Sequence, residues 1–353
     1  MFACYEVNRK VIIGHNHYAR YPQLFDDATD WRNTTSMPNA LVTGGAGFIG
    51  SHLVSQLVSR GVRVTVLDNL STGDALRLAR FGANVTLIEG DIRDMGTCIS
   101  ACKGMDCVFH MAAAISVPES LEDPVGTEQI NTMGTLNMLI ACRDSAVRRF
   151  VLSSSAAVYG NAAATPVTEQ MLPMPESPYG LQKLCGEHYC RIFTKNFGVE
   201  AIALRYFNVY GPGQNPNSHY AAVVPRFITC LAGNTAPTVY GDGGQTRDFC
   251  YVEDVALANI TAGFDAPSSA AGTVFNIGSG TSVSLIELLE ALYKLSGRKI
   301  DAKHENARAG DIRHSGADTS RAAELLGFTA RFNLEAGLEP TLRYYFDAAQ
   351  QPN

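Results

Sequence analysis

The chain has 353 residues, of which 46% are hydrophobic and 18% are charged, and its net charge is −6 at pH 7. This composition is typical of a soluble globular protein, and the length suffices for one large or two ordinary domains. The negative charge argues against a nucleic-acid-binding surface. No apolar run approaches the length of a membrane span, so we expect no membrane partner.

Residues 1–37 form a mixed, polar amino-terminal extension that predicts at most a short helix between Phe25 and Trp31. They lack the continuous apolar core of a secretory signal. Nine cysteines are scattered without a disulfide framework or a Cys/His spacing suited to zinc. We therefore expect no metal, free thiols in a reducing compartment, and a cytoplasmic protein.

The first element of the folded part is a glycine-rich turn, Thr43–Gly50, between the apolar run Ala40–Val42 and the segment Ser51–Val58. Apolar residues recur at helical spacing in the latter segment. Strand, glycine turn and helix in this order is the fingerprint of a dinucleotide-binding site. Glycine lets the backbone approach a pyrophosphate, and the helix directs its unpaired N–H groups at the phosphates.

A second predicted strand, Val62–Asp68, ends in a carboxylate 18 residues after Gly50. An acid at this place binds both hydroxyls of the adenosine ribose. Because Asp68 would repel a 2′-phosphate, the sequence favours NAD over NADP.

Strands and helices alternate from 38 to about 205, which predicts an α/β fold: a Rossmann-type, doubly wound parallel sheet forming an NAD-binding domain. The predicted strands are 39–43, 62–67, 84–89, 106–110, 148–153 and 200–205. The predicted helices are 47–60, 94–102, about 118–145 and 178–196. Ligands bind beyond the carboxyl ends of such strands, where Asp68, Asp91, the Ala112–Ala113 turn and Ser153–Ser155 are expected.

The alternation ends beyond 206 with the loop Gly211–Asn217, which is rich in turn residues. A smaller mixed α/β substrate lobe is predicted over 206–353, with part of 249–265 packing back on the first domain. Its predicted elements are a helix near 220–232, a strand near 236–240, and helices near 283–296 and 318–326. The cleft between the lobes is the expected place for a small-molecule substrate.

Tyr179 and Lys183 lie four residues apart, on one face of a helix that Ser177 caps and Pro178 begins. Tyrosine, with a pKa near 10, is a poor base at neutral pH. A lysine ammonium and a positive nicotinamide ring beside it would favour the phenolate, and Ser155 would hydrogen-bond the substrate oxygen. A surface tyrosine and a solvated lysine are the alternative, but the preceding fingerprint and serine cluster favour catalysis.

Over roughly 38–345 the sequence resembles the extended short-chain dehydrogenase/reductases, specifically the nucleotide-sugar 4-epimerases. The resemblance rests on Thr43–Gly50, Asp68–Gly73, Gly90–Arg93, His110–Ala113, Ser153–Gly160, Tyr179–Lys183, Arg205–Pro212, Arg247–Val255 and Arg308–Asp311. It implies tightly bound NAD and a UDP-sugar substrate. The implied catalytic residues are Ser155, Tyr179 and Lys183.

The resemblance also implies a set of binding residues. The cofactor contacts would be Gly44, Gly47, Phe48, Ile49, Gly50, Asp68, Asn69, Ser71, Thr72, Gly73, Asp91, Ile92, Ala112, Ala113, Asn131, Tyr179, Lys183 and Tyr206. The substrate contacts would be Ser116, Ser155, Asn208, Ala222, Val223, Arg226, Tyr240, Arg247, Arg308, Asp311 and Ser315.

Specific roles are implied for some of these residues. Asp91 and Ile92 would border the adenine, and Asn131 would orient Lys183 or a catalytic water. The nucleotide diphosphate would be held by Asn208, Arg247, Arg308 and Asp311, and arginine suits phosphate through its charge and forked donors. An ion pair of Arg247 with Asp248 or Glu253 is the alternative.

Related enzymes oxidise a sugar hydroxyl with NAD and then diverge. The 4,6-dehydratases carry Asp–Glu just before Val-Tyr-Gly, where this chain has Ala156–Ala157, so dehydration is disfavoured. In a 4-epimerase, Tyr179 removes the O4 proton while the C4 hydride passes to NAD, and the rotated 4-keto sugar takes the hydride back on its other face. Two competing functions are a keto-sugar reductase, which would exchange its cofactor, and a non-catalytic NAD sensor, which would not need Ser155, Tyr179 and Lys183 together.

The segment Arg308–Asp318 resembles 4-epimerases that act on N-acetylated UDP-hexosamines, as does Ser218–Pro225. Ser315 falls where relatives restricted to UDP-glucose carry tyrosine, and a small residue leaves volume for a 2-acetamido group. UDP-GlcNAc/UDP-GalNAc is therefore favoured, while UDP-glucose and UDP-uronic acids stay open because Arg226 could pair with a carboxylate. The helices near 118–145 and 178–196 would pair across a two-fold axis in a homodimer.

Overall fold

A computed structural model describes residues 37–162, 164–216, 222–307 and 313–350. The described residues belong to one compact unit, Met37–Asn353. The expectations for the amino-terminal extension, and those for Arg308 and Asp311, lie outside the described residues.

The strands in the described part of the chain form one large sheet and three small ones. They are β1 (Asn39–Thr43), β2 (Arg63–Asp68), β3 (Val85–Glu89), β4 (Cys107–His110), β5 (Arg149–Ser155), β6 (Glu200–Tyr206), β7 (Val209–Tyr210), β8 (Thr238–Tyr240), β9 (Thr246–Asp248), β10 (Cys250–Tyr251), β11 (Val274–Ile277), β12 (Ser282–Ser284) and β13 (Lys303–Glu305).

Seven of these strands form a parallel sheet in the order β11-β6-β5-β4-β1-β2-β3. The order reverses after β3, as in a doubly wound fold, and the α/β class predicted from the sequence is confirmed. Ala40, Leu41 and Val42 of β1 are fully buried, since the strand is covered on both faces. β11 was not among the predicted strands, and it comes from beyond the predicted domain boundary at 205.

Eleven α-helices are seen in the same described residues. They are α1 (Phe48–Ser59), α2 (Leu76–Ala79), α3 (Met95–Cys102), α4 (Val117–Glu122), α5 (Pro124–Glu128), α6 (Gly134–Asp144), α7 (Pro178–Phe197), α8 (Val223–Ala232), α9 (Val252–Ile260), α10 (Leu285–Ser296) and α11 (Leu334–Gln350). Shorter helical turns span Gly82–Asn84, Gln129–Met133, Ala156–Tyr159, Thr261–Asp265, Ser268–Ala270 and Ala322–Leu326.

The helices cover both faces of the large sheet. Cys98 of α3, Met138 of α6 and Phe193 of α7 belong to one buried cluster on one face. On the other face, α1 and α9 are joined by a 2.9 Å hydrogen bond from Gln56 Nε2 to the Glu253 carbonyl. The part of 249–265 that was expected to pack back on the first domain therefore contacts α1.

The long helix predicted near 118–145 is wrong in one respect, because it is broken at Asp123. Asp123 has φ −129° and ψ 74°, ends α4, and accepts a hydrogen bond from Gly126 N at the start of α5. Pro124 disfavours helical backbone at the residue before it. A π-helical turn, Gln129–Met133, then joins α5 to α6 and carries the buried Asn131.

The remaining elements form a second buried cluster that includes Phe227 of α8, Leu288 of α10 and Leu338 of α11. The helices predicted near 220–232 and 283–296 and the strand near 236–240 match α8, α10 and β8, whereas α11 was not predicted. No helix within the described residues combines the length and apolar character needed to cross a membrane.

Candidate active site

The turn after β1 admits only glycine at two positions. Gly44 has φ +69°, and a Cβ there would lie 2.8 Å from the backbone nitrogen of Ala112. A Cβ on Gly50 would overlap the carbonyl oxygen of Gly44. In the described residues α1 begins after Gly47 without a side-chain cap or an acid in its first turn. Its amino-terminal N–H groups, from Phe48 onward, fit the diphosphate of a dinucleotide.

The Asp68 carboxylate, only 7% exposed at the end of β2, shapes the loops on either side of it. Its Oδ2 accepts a hydrogen bond from Ala46 N at 2.9 Å, and its Oδ1 accepts one from Leu70 N at 2.9 Å. Gly73 lies so close that a Cβ on it would be 2.9 Å from Oδ1. Each oxygen keeps a second lone pair, which fits the expected ribose contact.

Asn69, just after β2, and Asp91, just after β3, are linked by a hydrogen bond. Asn69 Nδ2 donates to Asp91 Oδ2 at 3.0 Å. Arg93 donates to the same carboxylate from Nε at 2.9 Å and from Nη2 at 2.8 Å. The Arg93 hydrogen bond holds the pKa of Asp91 well below its usual range. The side chain of Ile92 lies in the core, so only its backbone is left to border an adenine. Ser71 and Thr72 are exposed in the loop that follows Asn69.

A buried relay connects the glycine turn to the middle of the sheet. Thr43 Oγ accepts hydrogen bonds from Met111 N and Ala112 N, each at 3.1 Å, and lies 2.8 Å from His110 Nδ1. His110 Nε2 lies 3.0 Å from Thr135 Oγ, which itself donates to a carbonyl. His110 is therefore protonated on Nε2, and burial lowers its pKa to about 3, so it stays neutral.

The expected catalytic residues come together where β5 ends. Ser177 caps α7 by accepting from Gly180 N, and Pro178 occupies the first turn, as predicted. Tyr179 and Lys183 are 9% and 7% exposed. Lys183 Nζ donates to the Ser153 carbonyl at 2.9 Å and lies 5.8 Å from the centre of the Tyr179 ring. The side chain of Ser155 lies near enough to the Tyr179 hydroxyl to lower the pKa of the phenol.

The expected lowering of the Tyr179 pKa is not found in the chain alone. Burial raises the pKa of Tyr179, and the hydrogen bond with Ser155 offsets only part of that rise. Burial also lowers the pKa of the Lys183 ammonium to about 8. The expectation also relied on the positive nicotinamide ring, so it stays a prediction for the protein with NAD bound, and it left out desolvation of the phenolate.

Two of the expected cofactor residues take structural hydrogen bonds. Asn131 is bonded to the backbone of Ala114 at 2.8 and 2.9 Å and to Gln182 Oε1 at 2.7 Å. Its amide therefore fixes the Ala112–Ala114 turn, and its hydrogen bonds go to residues other than Lys183. Tyr206 donates its hydroxyl to Asn259 Oδ1 at 2.9 Å on α9. Ala112 and Ala113 are half-buried beside the glycine turn.

The substrate side is organised by a fully buried carboxylate, Asp248, at the end of β9. It accepts hydrogen bonds from Ser279 N and Oγ at 2.6 and 2.7 Å and from Gly280 N at 3.0 Å. Its backbone carbonyl accepts from Asn208 at 3.2 Å. The neighbouring Arg247 donates to the Thr246 carbonyl at 2.9 Å.

Ser315 is half-buried, and its backbone N donates to the Thr246 carbonyl at 3.0 Å. The segment after it reaches the catalytic end of the sheet, since Gly316 O accepts from Val167 N at 2.8 Å. Ala317 shares a small buried cluster with Tyr159. The structure thus brings Ser315 between β9 and the loop that follows Ser155.

The other expected substrate residues lie on separate elements. Ala222 precedes α8, Val223 and Arg226 lie in its first turn, and Tyr240 ends β8. Ser116 caps α4 by accepting from Glu119 N at 3.1 Å. Their contacts with a substrate stay predictions.

Sequence reasoning gave no individual role to His110 or Glu187, and it considered Asp248 only as an ion-pair partner of Arg247. Glu187 lies two turns beyond Tyr179 on α7 and forms a buried ion pair with Arg205 at 2.6 Å. The available signal was a charged residue on the same helix face as Tyr179 and Lys183. Among the described residues, no group of three His, Cys, Asp or Glu is placed to hold a metal ion.

Comparison with known proteins gives a consistent result. Residues 40–278 match the NAD dependent epimerase/dehydratase family. A UDP-glucose 4-epimerase of Mycolicibacterium smegmatis is 36% identical over 314 residues, which cover 88% of this chain and 99% of that protein.

Two solved structures are similar over a comparable length. The UDP-N-acetylglucosamine 4-epimerase of Methanobrevibacter ruminantium, in complex with UDP-N-acetylmuramic acid, is 38% identical with a TM-score of 0.84, covering 89% of this chain and 99% of that one. The UDP-glucose 4-epimerase of Thermotoga maritima, with UDP-glucose, is 35% identical with a TM-score of 0.83, covering 88% and 100%. The chain therefore belongs to the NAD dependent epimerase/dehydratase family, as an extended short-chain dehydrogenase/reductase of the UDP-sugar 4-epimerase type.

Proposed function

We propose that this NAD-dependent 4-epimerase acts by preference on UDP-GlcNAc and UDP-GalNAc, and that Tyr179 exchanges the proton of the C4 hydroxyl. The observation that carries the catalytic part is that Tyr179 and Lys183 are buried together where β5 ends, next to the half-buried Ser155. A burial-raised phenol pKa suits a group that must return its proton later in the same cycle.

NAD, when bound, accepts and returns the hydride at C4. In the oxidation half-reaction the Tyr179 phenolate accepts the O4 proton, and in the reduction half-reaction the phenol gives it back, so that no proton or electron is consumed overall. The Lys183 ammonium, held by the Ser153 carbonyl, supplies positive charge next to the phenolate. Ser155 donates to the sugar oxygen or to the phenolate and so holds O4 within proton-transfer distance.

The proposed preference for an N-acetylated sugar rests on Ser315. Its side chain is small, and its backbone is anchored to Thr246, next to Arg247. The M. ruminantium relative, which acts on UDP-N-acetylglucosamine and was solved with UDP-N-acetylmuramic acid, supports a pocket with room at C2 of the sugar. UDP-glucose is the second candidate, since the M. smegmatis and T. maritima relatives act on it.

The experiment is to incubate the purified protein, without added cofactor, with UDP-GlcNAc and separately with UDP-glucose, and to follow the C4 configuration by proton NMR. Faster conversion of UDP-GlcNAc supports the proposal, and faster conversion of UDP-glucose contradicts it. Ser315→Tyr should reduce conversion of UDP-GlcNAc about 10- to 100-fold, with a much smaller effect on UDP-glucose. Ser269→Tyr, on an exposed turn, is the matched control and should change neither rate.

UDP-uronic acids are a third outcome of the same assay. Arg226, in the first turn of α8, is the cation that would pair with a C6 carboxylate. Conversion of UDP-glucuronic acid faster than that of both other sugars, abolished by Arg226→Gln, would replace the proposal by a uronic-acid epimerase.

We also propose that the protein is a homodimer. The helices α4 to α7 expose a set of large apolar side chains: Leu121, Val125, Met133, Leu181 and Ile192. Exposed apolar side chains of this kind mark an interface. Because the sequence resembles dimeric relatives, we propose that the partner at this interface is a second copy of the same chain. Light scattering should give twice the chain mass, falling to one chain mass in Leu181→Glu but not in Leu76→Glu, whose leucine is exposed on α2.

The cytoplasm stays our proposal for the location of the protein. The eight cysteines of the described residues are free thiols, and burial raises the pKa of Cys98 to about 12. Such thiols are unreactive small core residues suited to a reducing compartment. Recovery of the native protein in a membrane or secreted fraction would contradict this location.

A further inference from the structure

Three consecutive serines of β5 are each matched to a residue of α7. Ser153 O accepts from Lys183 Nζ at 2.9 Å, Ser154 Oγ donates to Glu187 Oε1 at 2.5 Å, and the Ser155 side chain lies near enough to Tyr179 to lower the pKa of its phenol. The helix residues are spaced four apart, so they line one face of α7.

Ser153 and Ser155 thus face the two expected catalytic residues, while Ser154 faces a residue that takes no part in the proton transfer. Glu187 is 5% exposed and its carboxylate is fully engaged. Arg205 of β6 donates to it from Nε at 2.8 Å and from Nη2 at 2.6 Å, in a bidentate pair. Ser154 and Arg205 are direct neighbours across β5 and β6. One carboxylate therefore joins α7 to two adjacent strands.

We propose that Glu187 is a positioning residue, which keeps α7 in register with the end of β5 so that Ser155 stays next to the Tyr179 hydroxyl. This rests on the catalytic roles proposed above. Glu187 and Arg205 are 5% and 3% exposed and their charged groups pair with each other, so we assign neither of them a direct contact with the substrate. Their effect on the reaction is exerted through the backbone of β5 and the face of α7.

The fixed position of Arg205 supports this role. Its guanidinium lies 4.6 Å from the centre of the Tyr159 ring, in the turn directly after Ser155. Tyr159 in turn donates its hydroxyl to Asn276 Oδ1 at 2.6 Å on β11. The pair with Glu187 therefore holds the segments before and after Ser155, and a loss of the pair would release both.

The same two strands carry a matched control pair. Arg149 and Glu200 are direct neighbours at the beginning of β5 and β6, and Arg149 Nη2 lies 2.9 Å from Glu200 Oε2. Five residues of strand separate this pair from Ser154, which is about 17 Å. Glu200→Gln removes a largely buried charge between the same strands, but far from the catalytic end.

The test compares Glu187→Gln, Ser154→Ala and Glu200→Gln with the wild type, each as purified with its bound NAD, on whichever of UDP-GlcNAc and UDP-glucose the wild type converts. We expect Glu187→Gln to lower kcat about 100-fold and Ser154→Ala about 10-fold, with KM within twofold. Ser154→Ala keeps the buried ion pair between Glu187 and Arg205. It therefore still tests the positioning role if Glu187→Gln does not fold. Glu200→Gln should lower the melting temperature and leave kcat within twofold.

The pH dependence separates positioning from general destabilisation. Because the hydrogen bond with Ser155 lowers the pKa of Tyr179, a displaced Ser155 moves the acidic limb of kcat/KM to higher pH in Ser154→Ala and Glu187→Gln. The proposal is overturned if Glu200→Gln loses as much kcat as Glu187→Gln. It is also overturned if the acidic limb of kcat/KM stays at the wild-type pH in both Ser154→Ala and Glu187→Gln.

If the wild type epimerises no UDP-sugar, the proposed function is contradicted. The positioning role of Glu187 is then tested by crystallography. Crystal structures of Ser154→Ala and the wild type then give the distance between Ser155 Oγ and the Tyr179 hydroxyl oxygen. A longer distance in the variant supports the inference, and an unchanged distance overturns it.

Discussion

Glu253 Oε1 lies 2.6 Å from His52 Nδ1, while His52 Nε2 lies 2.9 Å from the Pro212 carbonyl. A carbonyl oxygen only accepts, so Nε2 donates to Pro212, and Nδ1 is the ring nitrogen that faces the carboxylate. Gln56 adds a 2.6 Å hydrogen bond to the other oxygen of Glu253. The cluster joins α1, whose amino terminus faces the cofactor site, to α9 and to the loop after β7.

The first prediction follows from this carboxylate. Burial opposes its ionisation, but hydrogen bonds from His52 and Gln56 outweigh burial and lower the pKa of Glu253 below its ordinary 4.5. Because the pKa of Glu253 is lower in the folded than in the unfolded chain, its ionisation stabilises the fold. This stabilisation is fully present above pH 4.5 and is lost as the pH falls through the folded-state pKa. Glu253→Gln should therefore be less stable than the wild type at pH 7, and the difference should shrink below pH 4.5.

Urea unfolding between pH 3.5 and 7.5 measures this difference. Glu339→Gln is the control, because Glu339 forms an exposed pair with Arg343 on α11. A difference between wild type and Glu253→Gln that is the same at all pH values would contradict the assigned pKa shift.

The sequence was informative where structure is local. The glycine turn, the strand that ends at Asp68 and the capped helix at Ser177 are each encoded within about ten consecutive residues, and each was found. β11 was missed because its pairing partner β6 lies some 70 residues earlier and a four-residue apolar run has no periodicity of its own. α11 was missed because Pro340 lies within it.

The buried polar contacts were the least predictable part of the site. Asp248 was considered as a partner of Arg247, yet its carboxylate is used by Ser279 and Gly280, more than 30 residues away. Burial also changed the sign of the expected Tyr179 shift, because the degree of desolvation depends on the packing of α4 and α7 and has no sequence signature.

Lys183→Met should stabilise the fold while removing activity. Burial lowers the pKa of Lys183 from 10.5 to about 8, so at pH 7 the fold bears the cost of a buried ammonium, about 3 kcal/mol. The unfolded chain binds the proton more tightly, so wild-type stability rises with pH between 8 and 10.5. The stability gained by the variant should be largest at pH 7 and should disappear near pH 10.5.

Thermal and urea unfolding of the two proteins, compared at equal NAD content, measure this gain. Lys294→Met is the control, since Lys294 is exposed on α10 and should show no pH-dependent difference. A Lys183→Met variant that is less stable than the wild type at pH 7 would show that the hydrogen bond to Ser153 outweighs desolvation.

Tyr179→Phe should lower kcat about 10²- to 10⁴-fold, because it removes the proposed proton acceptor. The ring and its packing are kept, so the amount of NAD that copurifies should stay within twofold of the wild type. Tyr344→Phe removes a hydroxyl from an exposed ring on α11 and should not change the rate. Retention of wild-type kcat by Tyr179→Phe would exclude Tyr179 as the acid and base.

Asp68→Asn tests the cofactor site. The two oxygens of Asp68 accept hydrogen bonds from Ala46 N and Leu70 N. In the Asp68→Asn variant one of these oxygens is replaced by an NH₂ group, which is a donor and cannot accept from the backbone N–H that faces it. We expect the glycine turn to shift, the ribose hydroxyls to lose an ionic acceptor, and the NAD that copurifies to fall at least about tenfold. The variant should also lose its discrimination against NADP, since the charge that repels a 2′-phosphate is gone.

Calorimetric titration of NAD and NADP into the proteins stripped of cofactor measures both effects. Asp94→Asn, which changes only the cap of α3, is the control, and an unchanged NAD affinity in Asp68→Asn would exclude Asp68 from the ribose site.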